Sequence, residues 1–179
     1  MGMTTVMQLH SAAEGKPTAF DYRGMHRYLV TIPTFQSKPV FVDMPAVVRV
    51  LDVLRDTGLT YHFDITAYCF VPDALRILVH GRSEASDLKI FLAAFRSLSS
   101  AAMEPQLGHR LWKRRYLERV LRRGEETTAV AREIFFVPVQ LGLAGVPTQY
   151  PFQGSFTSNV AAITAPVNRT RRSPFKRRR

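Results

Sequence analysis

The sequence predicts an α+β domain in which an antiparallel β-sheet carries helices packed mainly on one face. The first indication is a hairpin pattern over residues 65–80, where two apolar runs meet at Val71-Pro72-Asp73. The second is the order of the patterns along the chain, which reads strand, helix, strand, strand, helix, strand, helix. The third is size, because 179 residues with 46% hydrophobic content can bury one core but are too few for two ordinary domains. We therefore expect one domain over residues 23–157, between a loose segment at 1–22 and a basic, disordered tail at 158–179.

The hairpin at 65–80 defines the two faces of the predicted sheet. Proline presets the backbone dihedral of a turn and aspartate can bond back to the chain, so the second strand should begin near Ala74. Side chains alternate between the faces of a strand, which places Ala74, Arg76 and Leu78 on one side. The other side, which can enter a core, then carries Leu75, Ile77 and Val79.

The elements before the hairpin follow from residue type and capping signals. Residues 26–35 are rich in aromatic and β-branched side chains, which favour a first strand. Asp43 can cap a helix that accepts Pro45 in its first turn and keeps helical spacing of apolar residues until Gly58. Residues 59–70 then form the strand that enters the hairpin.

The elements after the hairpin are two helices with a strand between them. Ser83 or Ser86 can cap the second helix, whose apolar stripe should pack on the sheet. Residues 109–123 form the next strand, and Gly124-Glu125-Glu126 opens a third helix with carboxylates where the helix dipole favours them. A proline disfavours helical backbone in the residue before it, so this helix should end before Pro138.

Positive charge is concentrated in two places. The net charge is +11, and residues 169–179 contain seven basic residues and no acidic one. Residues 110–123 contain seven more basic residues against the single acid Glu118. In this second run aromatic side chains alternate with the cations, and such a surface can hold phosphate oxygens while its rings stack on unpaired bases. The alternative is an edge strand kept soluble by its charge. The natural partner of so much positive charge is a polyanion, above all a nucleic acid.

The remaining composition favours an intracellular protein. Cys69 is the only cysteine and lies in an apolar run, which indicates a buried thiol and a reducing compartment. The first 17 residues lack the order of a signal peptide, and the apolar stretch at 134–146 is too short and too interrupted to span a membrane. We expect a soluble, cytoplasmic chain without a membrane partner.

The hairpin sequence Ala-Tyr-Cys-Phe-Val-Pro-Asp-Ala-Leu-Arg-Ile-Leu-Val at 67–79 resembles the signature strand of the REP-associated tyrosine transposases. These enzymes belong to the HUH group of single-strand DNA transposases. In that family a Met-Pro-Asn turn precedes His-hydrophobic-His, and the two imidazoles bind the divalent metal, magnesium or manganese, that polarises the scissile phosphate. Ala74 and Arg76 stand at those two positions, and neither can be a metal ligand.

Three further segments resemble the same family. Residues 109–123 are similar to its Leu-Trp-Gln-Arg strand, and Tyr150-Pro-Phe-Gln-Gly-Ser-Phe156 is similar to its closing Tyr-Pro-Trp-Ser-Ser-Tyr. Residues 132–143 are similar to the helix that carries the nucleophilic tyrosine and a metal-coordinating amide, but Glu133 and Val137 stand at those positions. The resemblance implies a ferredoxin-like sheet in a degenerate transposase, with no catalytic residue, metal ligand or cofactor of its own.

The resemblance and the charge together predict a protein that binds hairpin or single-stranded DNA without cleaving it. Structured RNA is nearly as plausible electrostatically, and a homodimer is possible. Two further hypotheses are a protein-interaction module and an active transposase or nuclease that uses substituted residues. For the active enzyme the available phenols are Tyr68 and Tyr116, and a weak metal site could involve His62, Asp64 and His80. The residues predicted to bind nucleic acid are Arg76, Arg110, Trp112, Lys113, Arg114, Arg115, Tyr116, Arg119, Arg171, Arg172, Lys176, Arg177, Arg178 and Arg179.

Overall fold

The computed structural model describes residues 20–166. The strands are β1 (Arg27–Pro33), β2 (Phe63–Val71), β3 (Ala74–Gly81), β4 (Leu117–Val120) and β5 (Gln153–Gly154). The helices are α1 (Met44–Thr60), α2 (Leu88–Leu107), α3 (Thr127–Gln140) and α4 (Val160–Thr164). Asp43 caps α1 by accepting a hydrogen bond from the Ala46 amide, and Asp87, rather than Ser83 or Ser86, caps α2. In this part of the chain no helix is long and apolar enough to cross a membrane.

The five strands form one antiparallel sheet in the order β4-β1-β3-β2-β5. The first four strands have the order that two split β-α-β units produce, which confirms the α+β, ferredoxin-like prediction. The central hairpin pairs Val71 with Ala74 across the predicted turn, and β5 adds a two-residue edge strand beside β2.

Two apolar layers cover the two faces of the sheet. The predicted alternation of β3 is confirmed, because Leu75, Ile77 and Val79 lie in the core beneath α1 and α2, whereas Ala74 and Leu78 pack beneath α3. The two longest helices therefore share one face, as expected. We call the opposite face, on which α3 and α4 lie, the α3 face of the sheet.

The strand predicted over residues 109–123 is much shorter in the structure. Leu111 and Trp112 are buried and leave the sheet after a single bridge between Trp112 and Thr34. The Arg96 guanidinium on α2 then donates hydrogen bonds to two consecutive backbone carbonyls, those of Lys113 and Arg114. These bonds use backbone groups that would otherwise pair with a neighbouring strand, so only residues 117–120 remain as β4.

The third helix continues through Pro138 to Gln140, so the prediction that it ends before the proline is wrong. A proline inside a helix removes one backbone hydrogen bond, but Pro138 is buried and only two residues from the helix end. Apolar packing of the last turn onto β2 and β3 compensates for that loss. The helix begins at Thr127, after the acidic pair that was expected to open it.

The structure shows folded contacts close to both predicted bounds, 22 and 158. Tyr22 already packs on the domain, because its ring stacks on Tyr28 at 6.1 Å and its carbonyl accepts from the Leu88 amide. At the other end α4 lies inside the segment that was expected to be disordered, with Asn159 as its N-cap. The predicted phosphate contacts at Arg171, Arg172 and residues 176–179 lie outside the described residues.

Candidate nucleic-acid interface

Four residues occupy the positions that carry chemistry in the transposase pattern, and they lie on β3 and α3. Ala74 and Val137 are 9% and 4% exposed and belong to the same apolar cluster, so side-chain packing occupies these two positions. Glu133, one turn earlier on α3, is exposed to solvent. Arg76 lies on the same face of β3 as Ala74, in the part of the sheet that α3 borders.

Arg76 holds a partly buried positive charge. In the sheet it lies between Thr31 of β1 and Cys69 of β2, and its buried Nε has no hydrogen-bond partner among the described residues. The neighbouring thiol is not a counter-ion, because burial raises the pKa of Cys69 to about 12 and keeps it protonated. Arg76 takes part in none of the ion pairs formed within residues 20–166. A buried donor without a partner costs free energy, and an anionic ligand would satisfy the Nε–H of Arg76.

The half of the α3 face on β1 and β4 is open beside Arg76. The helix α3 packs mainly on β2, and among the described residues its apolar cluster reaches only Leu29 of β1 and Leu121, the residue after β4, on this side of the sheet. Across the sheet from Arg76, Leu117 pairs with Thr31 and is 72% exposed, while Arg119 pairs with Leu29. This arrangement places two cations and an exposed apolar side chain on one flat surface, which we call the open sheet surface.

The loop from β4 to α3 extends this surface with further cations. A cleft of about 550 Å³ is lined by Arg119, Arg122 and Arg123, with Glu125 as its only acid. Glu125 pairs with Arg119 at 2.7 Å, and this hydrogen bond, with help from the Arg122 amide, lowers the pKa of the carboxyl. One carboxylate therefore faces three guanidinium groups, and the cleft carries a net positive charge.

Arg27 of β1 supports the same loop from below. It donates to the carbonyl of Glu125 at 2.8 Å, to the hydroxyl of Thr127 at 2.6 Å and to the carbonyl of Arg122 at 3.2 Å. All three acceptors are neutral, so the charge of Arg27 adds to that of the cleft. Sequence reasoning missed Arg27, Arg122 and Arg123 as site residues. Arg122 and Arg123 lay at the end of the basic run, and the alternation of β1 could have placed Arg27 beside them.

Among the described residues, the predicted contact residues other than Arg76 and Arg119 lie in the segment 110–116. The Lys113 ammonium donates to the Ser37 hydroxyl at 2.8 Å, and the Arg110 guanidinium lies 4.3 Å from the centroid of Phe35. Arg114 and Arg115 are exposed. Tyr116 packs under Arg96 and Lys89 of α2, on the side of the sheet away from α3. The structure thus separates Arg76 and Arg119, which lie on the open sheet surface, from the residues of segment 110–116, of which Tyr116 lies on the opposite side of the sheet.

Trp112 is the clear correction to the predicted interface. Its ring is 3% exposed and packs on Phe41 and Phe95, and its indole nitrogen donates to the Ser99 hydroxyl at 2.8 Å. An indole that is enclosed on both faces cannot stack on a base, so Trp112 is a core residue. Its alternation with cations had suggested an exposed ring, but the chain leaves the sheet at this point and turns the ring inward.

The residues suggested for a weak metal site do not form a cluster. Asp64 and His80 pair across β2 and β3, whereas His62 precedes the strand in the left-handed region at φ 60°. Within residues 20–166 there is no group of three or more histidine, cysteine or acidic side chains that could hold an ion. The available phenols are also placed elsewhere, because Tyr68 lies against Phe70 and Phe156 rather than on α3.

Comparison with known proteins identifies the fold. No protein-family model matches the sequence, and no curated protein sequence matches it. Among solved structures, a REP-associated tyrosine transposase bound to a REP hairpin superposes with a TM-score of 0.63 at 13% identity, over 78% of this chain and 81% of that one. A candidate transposase from Deinococcus radiodurans R1 superposes with a TM-score of 0.49 at 19% identity, over 68% and 94% of the two chains. The first of these similarities, together with the strand order and the placement of α3, shows that the chain has a transposase-like fold.

Proposed function

We propose that this protein is a degenerate member of the REP-associated tyrosine transposase family that binds hairpin or single-stranded DNA without cleaving it. The open sheet surface and the adjoining arginine cleft would hold the phosphates, and the cations at Arg110 and 113–115 would add further phosphate contacts. Nucleic-acid binding of this kind draws most of its affinity from neutralised phosphates.

Arg76 is the observation that carries the proposal. The buried Nε–H of Arg76 lacks a hydrogen-bond partner in the free protein, and a guanidinium is well suited to bind two phosphate oxygens at once. It stands at the strand position where the family resemblance places a metal-bound phosphate. A phosphate held there by charge alone would be positioned but not activated.

The absence of cleavage is inferred from the residues at the four chemical positions. Alanine, arginine and valine at 74, 76 and 137 cannot ligate a divalent metal through their side chains. Glu133 in place of the nucleophilic tyrosine would give an unstable mixed anhydride rather than a durable phosphotyrosine link. The same surface therefore has cations for binding but lacks the groups that the family uses for reaction.

The structural neighbour adds support for the class of ligand. Its structure was determined with a hairpin bound, and the present chain shares its fold over most of both chains. Hairpin DNA is accordingly the first ligand to test, with an RNA hairpin of the same sequence beside it.

The test is fluorescence anisotropy with a labelled hairpin that has a single-stranded extension. Alanine at Arg119, Arg122 and Arg123 should weaken binding about tenfold or more, since each charge-assisted phosphate bond contributes about 1.5–3 kcal/mol. The matched control is Arg49→Ala, an exposed arginine on α1 that lies away from this surface. If the triple alanine variant and Arg49→Ala weakened hairpin binding equally, the placement of the interface would be refuted.

The same oligonucleotides test the chemistry. Incubation with magnesium or manganese followed by denaturing electrophoresis should show neither a nick nor a protein-bound band. A discrete product that disappears with Glu133→Gln, Tyr68→Phe or Tyr116→Phe would establish the active-enzyme alternative. Preference for the RNA hairpin over the DNA hairpin would reassign the ligand.

A further inference from the structure

The longest stretch of the chain without charge lies between Glu133 and Arg169. Residues 134–168 contain no acidic, basic or histidine side chain, although 22% of all residues are charged. The described part of this stretch forms the second half of α3, the connection to β5 and all of α4. Several of its apolar side chains are at the surface, including Leu143 and Val146, which are 41% and 47% exposed. An exposed apolar surface on an otherwise highly charged protein is typical of a protein–protein interface.

This uncharged surface contains a groove of about 450 Å³ between α3, α4 and the connection that precedes β5. The helix α3 contributes Phe136 and Val139 to its lining, and α4 contributes Ala161. Val146 also lines the groove and is nearly half exposed, so a neighbouring molecule can reach its side chain. A concave apolar site and an accessible apolar side chain therefore lie on one surface. Two copies related by a twofold axis need this combination, because each copy must supply both parts.

Arg132 is the only charged side chain among the described residues that line the groove. Its guanidinium donates hydrogen bonds to the carbonyls of Ile163 and Ala165 and lies 5.2 Å from the centroid of the Phe136 ring. The arginine cleft, in contrast, is lined by three guanidinium groups. A nucleic acid would thus find one cation here, already engaged within the protein, so a polyanion is not the favoured occupant of the groove.

We propose that this groove is the interface of a homodimer, in which Val146 of each copy packs into the groove of the other. Charge favours a second copy as the occupant. Two chains with a net charge of +11 repel each other, and the repulsion is weakest where uncharged surfaces face each other. The chain's own residues 167–179 fit less well, because they would bring seven cations beside Arg132 and have only Val167 and Phe175 as large apolar side chains. This inference does not depend on the DNA-binding proposal.

The experiment measures the association state of the full-length protein, purified free of nucleic acid, by sedimentation velocity over a range of concentrations. We expect a monomer–dimer equilibrium with a Kd of the micromolar order, as for a small interface. Raising the salt concentration from about 0.1 M to about 0.5 M should strengthen the dimer, because salt screens the repulsion between the two positive copies. Weakening by salt would indicate association through a bound polyanion and would overturn the proposal.

Two lysine variants test the position of the interface. Val146→Lys should raise the Kd of the dimer about tenfold or more, because an ammonium group would be buried in the apolar groove of the other copy. The matched control is Val48→Lys, which adds the same charge at a valine of α1 that is 43% exposed and lies on the other side of the sheet. It should leave the Kd unchanged. Circular dichroism verifies the fold of both variants.

The other outcomes each decide against the groove as a dimer interface. A wild-type chain that stays monomeric at both salt concentrations would overturn the proposal, and so would a dimer that Val48→Lys disrupts as strongly as Val146→Lys. If Phe175→Ala dimerises whereas the wild type does not, the chain's own residues 167–179 occupy the groove in place of a second copy. Hairpin binding by a monomer would leave the proposed function intact and refute this inference alone, whereas a dimer that does not bind the hairpin would do the reverse.

Discussion

Replacement of Arg76 by methionine should make the protein more stable and a weaker DNA binder. Methionine keeps the apolar stem of the side chain and removes the buried Nε that lacks a partner. A buried unsatisfied donor costs about 1–3 kcal/mol, and because Arg76 is only partly buried we take about 1 kcal/mol. For a chain of this size that gain corresponds to a rise of about 3 °C in the melting temperature.

The same change should remove one phosphate contact. Loss of a charge-assisted hydrogen bond of about 1.5–3 kcal/mol raises the Kd for the hairpin about 10- to 150-fold. The slope of log K against log salt should also become shallower by about 0.7 for a single-strand phosphate or about 0.9 for a duplex one. Thermal unfolding followed by circular dichroism measures the melting temperature, and anisotropy titrations at several salt concentrations measure the Kd and the salt slope.

Two variants make the outcome decisive. Arg49→Met removes an exposed arginine of α1 and should change neither the melting temperature nor the affinity appreciably. Arg76→Lys keeps the charge but loses the planar guanidinium that can bind two oxygens. Its affinity for the hairpin should therefore lie between those of the wild type and Arg76→Met. If Arg76→Met lowers the melting temperature while the affinity follows that of Arg49→Met, then Arg76 serves packing and the argument from its unpaired guanidinium is refuted.

Three other predictions concern the core, the thiol and the tail. Trp112→Phe should lower stability by about 1–2 kcal/mol through loss of the bond to Ser99 and of packed volume, without changing hairpin affinity, as denaturant titration and anisotropy will show. A loss of affinity at unchanged stability would return Trp112 to the interface. Cys69, whose pKa burial raises to about 12, should react with a thiol reagent at pH 8 only at the rate of unfolding, and rapid labelling of the native protein would contradict its burial. Deletion of residues 169–179 should flatten the salt dependence of binding by about 0.7 for each single-strand phosphate that this segment neutralises, and an unchanged slope would show that it does not touch the ligand.

The elements predicted with success were those with strong local patterns. The turn at Val71-Pro72-Asp73 and the strict alternation of β3 fixed the hairpin and its two faces, and Asp43 with Pro45 marked the start of α1. Periodicity and capping act over a few residues, so a sequence shows them directly. The ferredoxin-like arrangement was implied by the family resemblance, and the order of these elements along the chain supported it.

The predictions that failed depended on partners distant in the chain. Trp112 turns inward because its ring packs on Phe95 and its indole nitrogen bonds to Ser99, which lie on α2 17 and 13 positions earlier in the chain. β4 is short because Arg96 binds the backbone carbonyl of Lys113, just before the strand. The contribution of Arg27 to the arginine cleft depends on carbonyls about 100 residues away. Such tertiary contacts override local pattern, and no spacing in the sequence records them.

Arg132 determines where the last part of the chain leaves the domain. Its guanidinium donates to the carbonyls of Ile163 and Ala165, so it ties the end of α4 to the side of α3. Residues 167–179, which contain seven cations, follow directly after this contact in the sequence. A chain of that length can extend about 45 Å at most, and tethering at such range gives an effective concentration of about the millimolar order. We expect the cations of residues 169–179 to contact phosphates next to a strand that the folded domain holds, and we expect substitution of Arg132 to weaken that coupling without removing a charge from these residues.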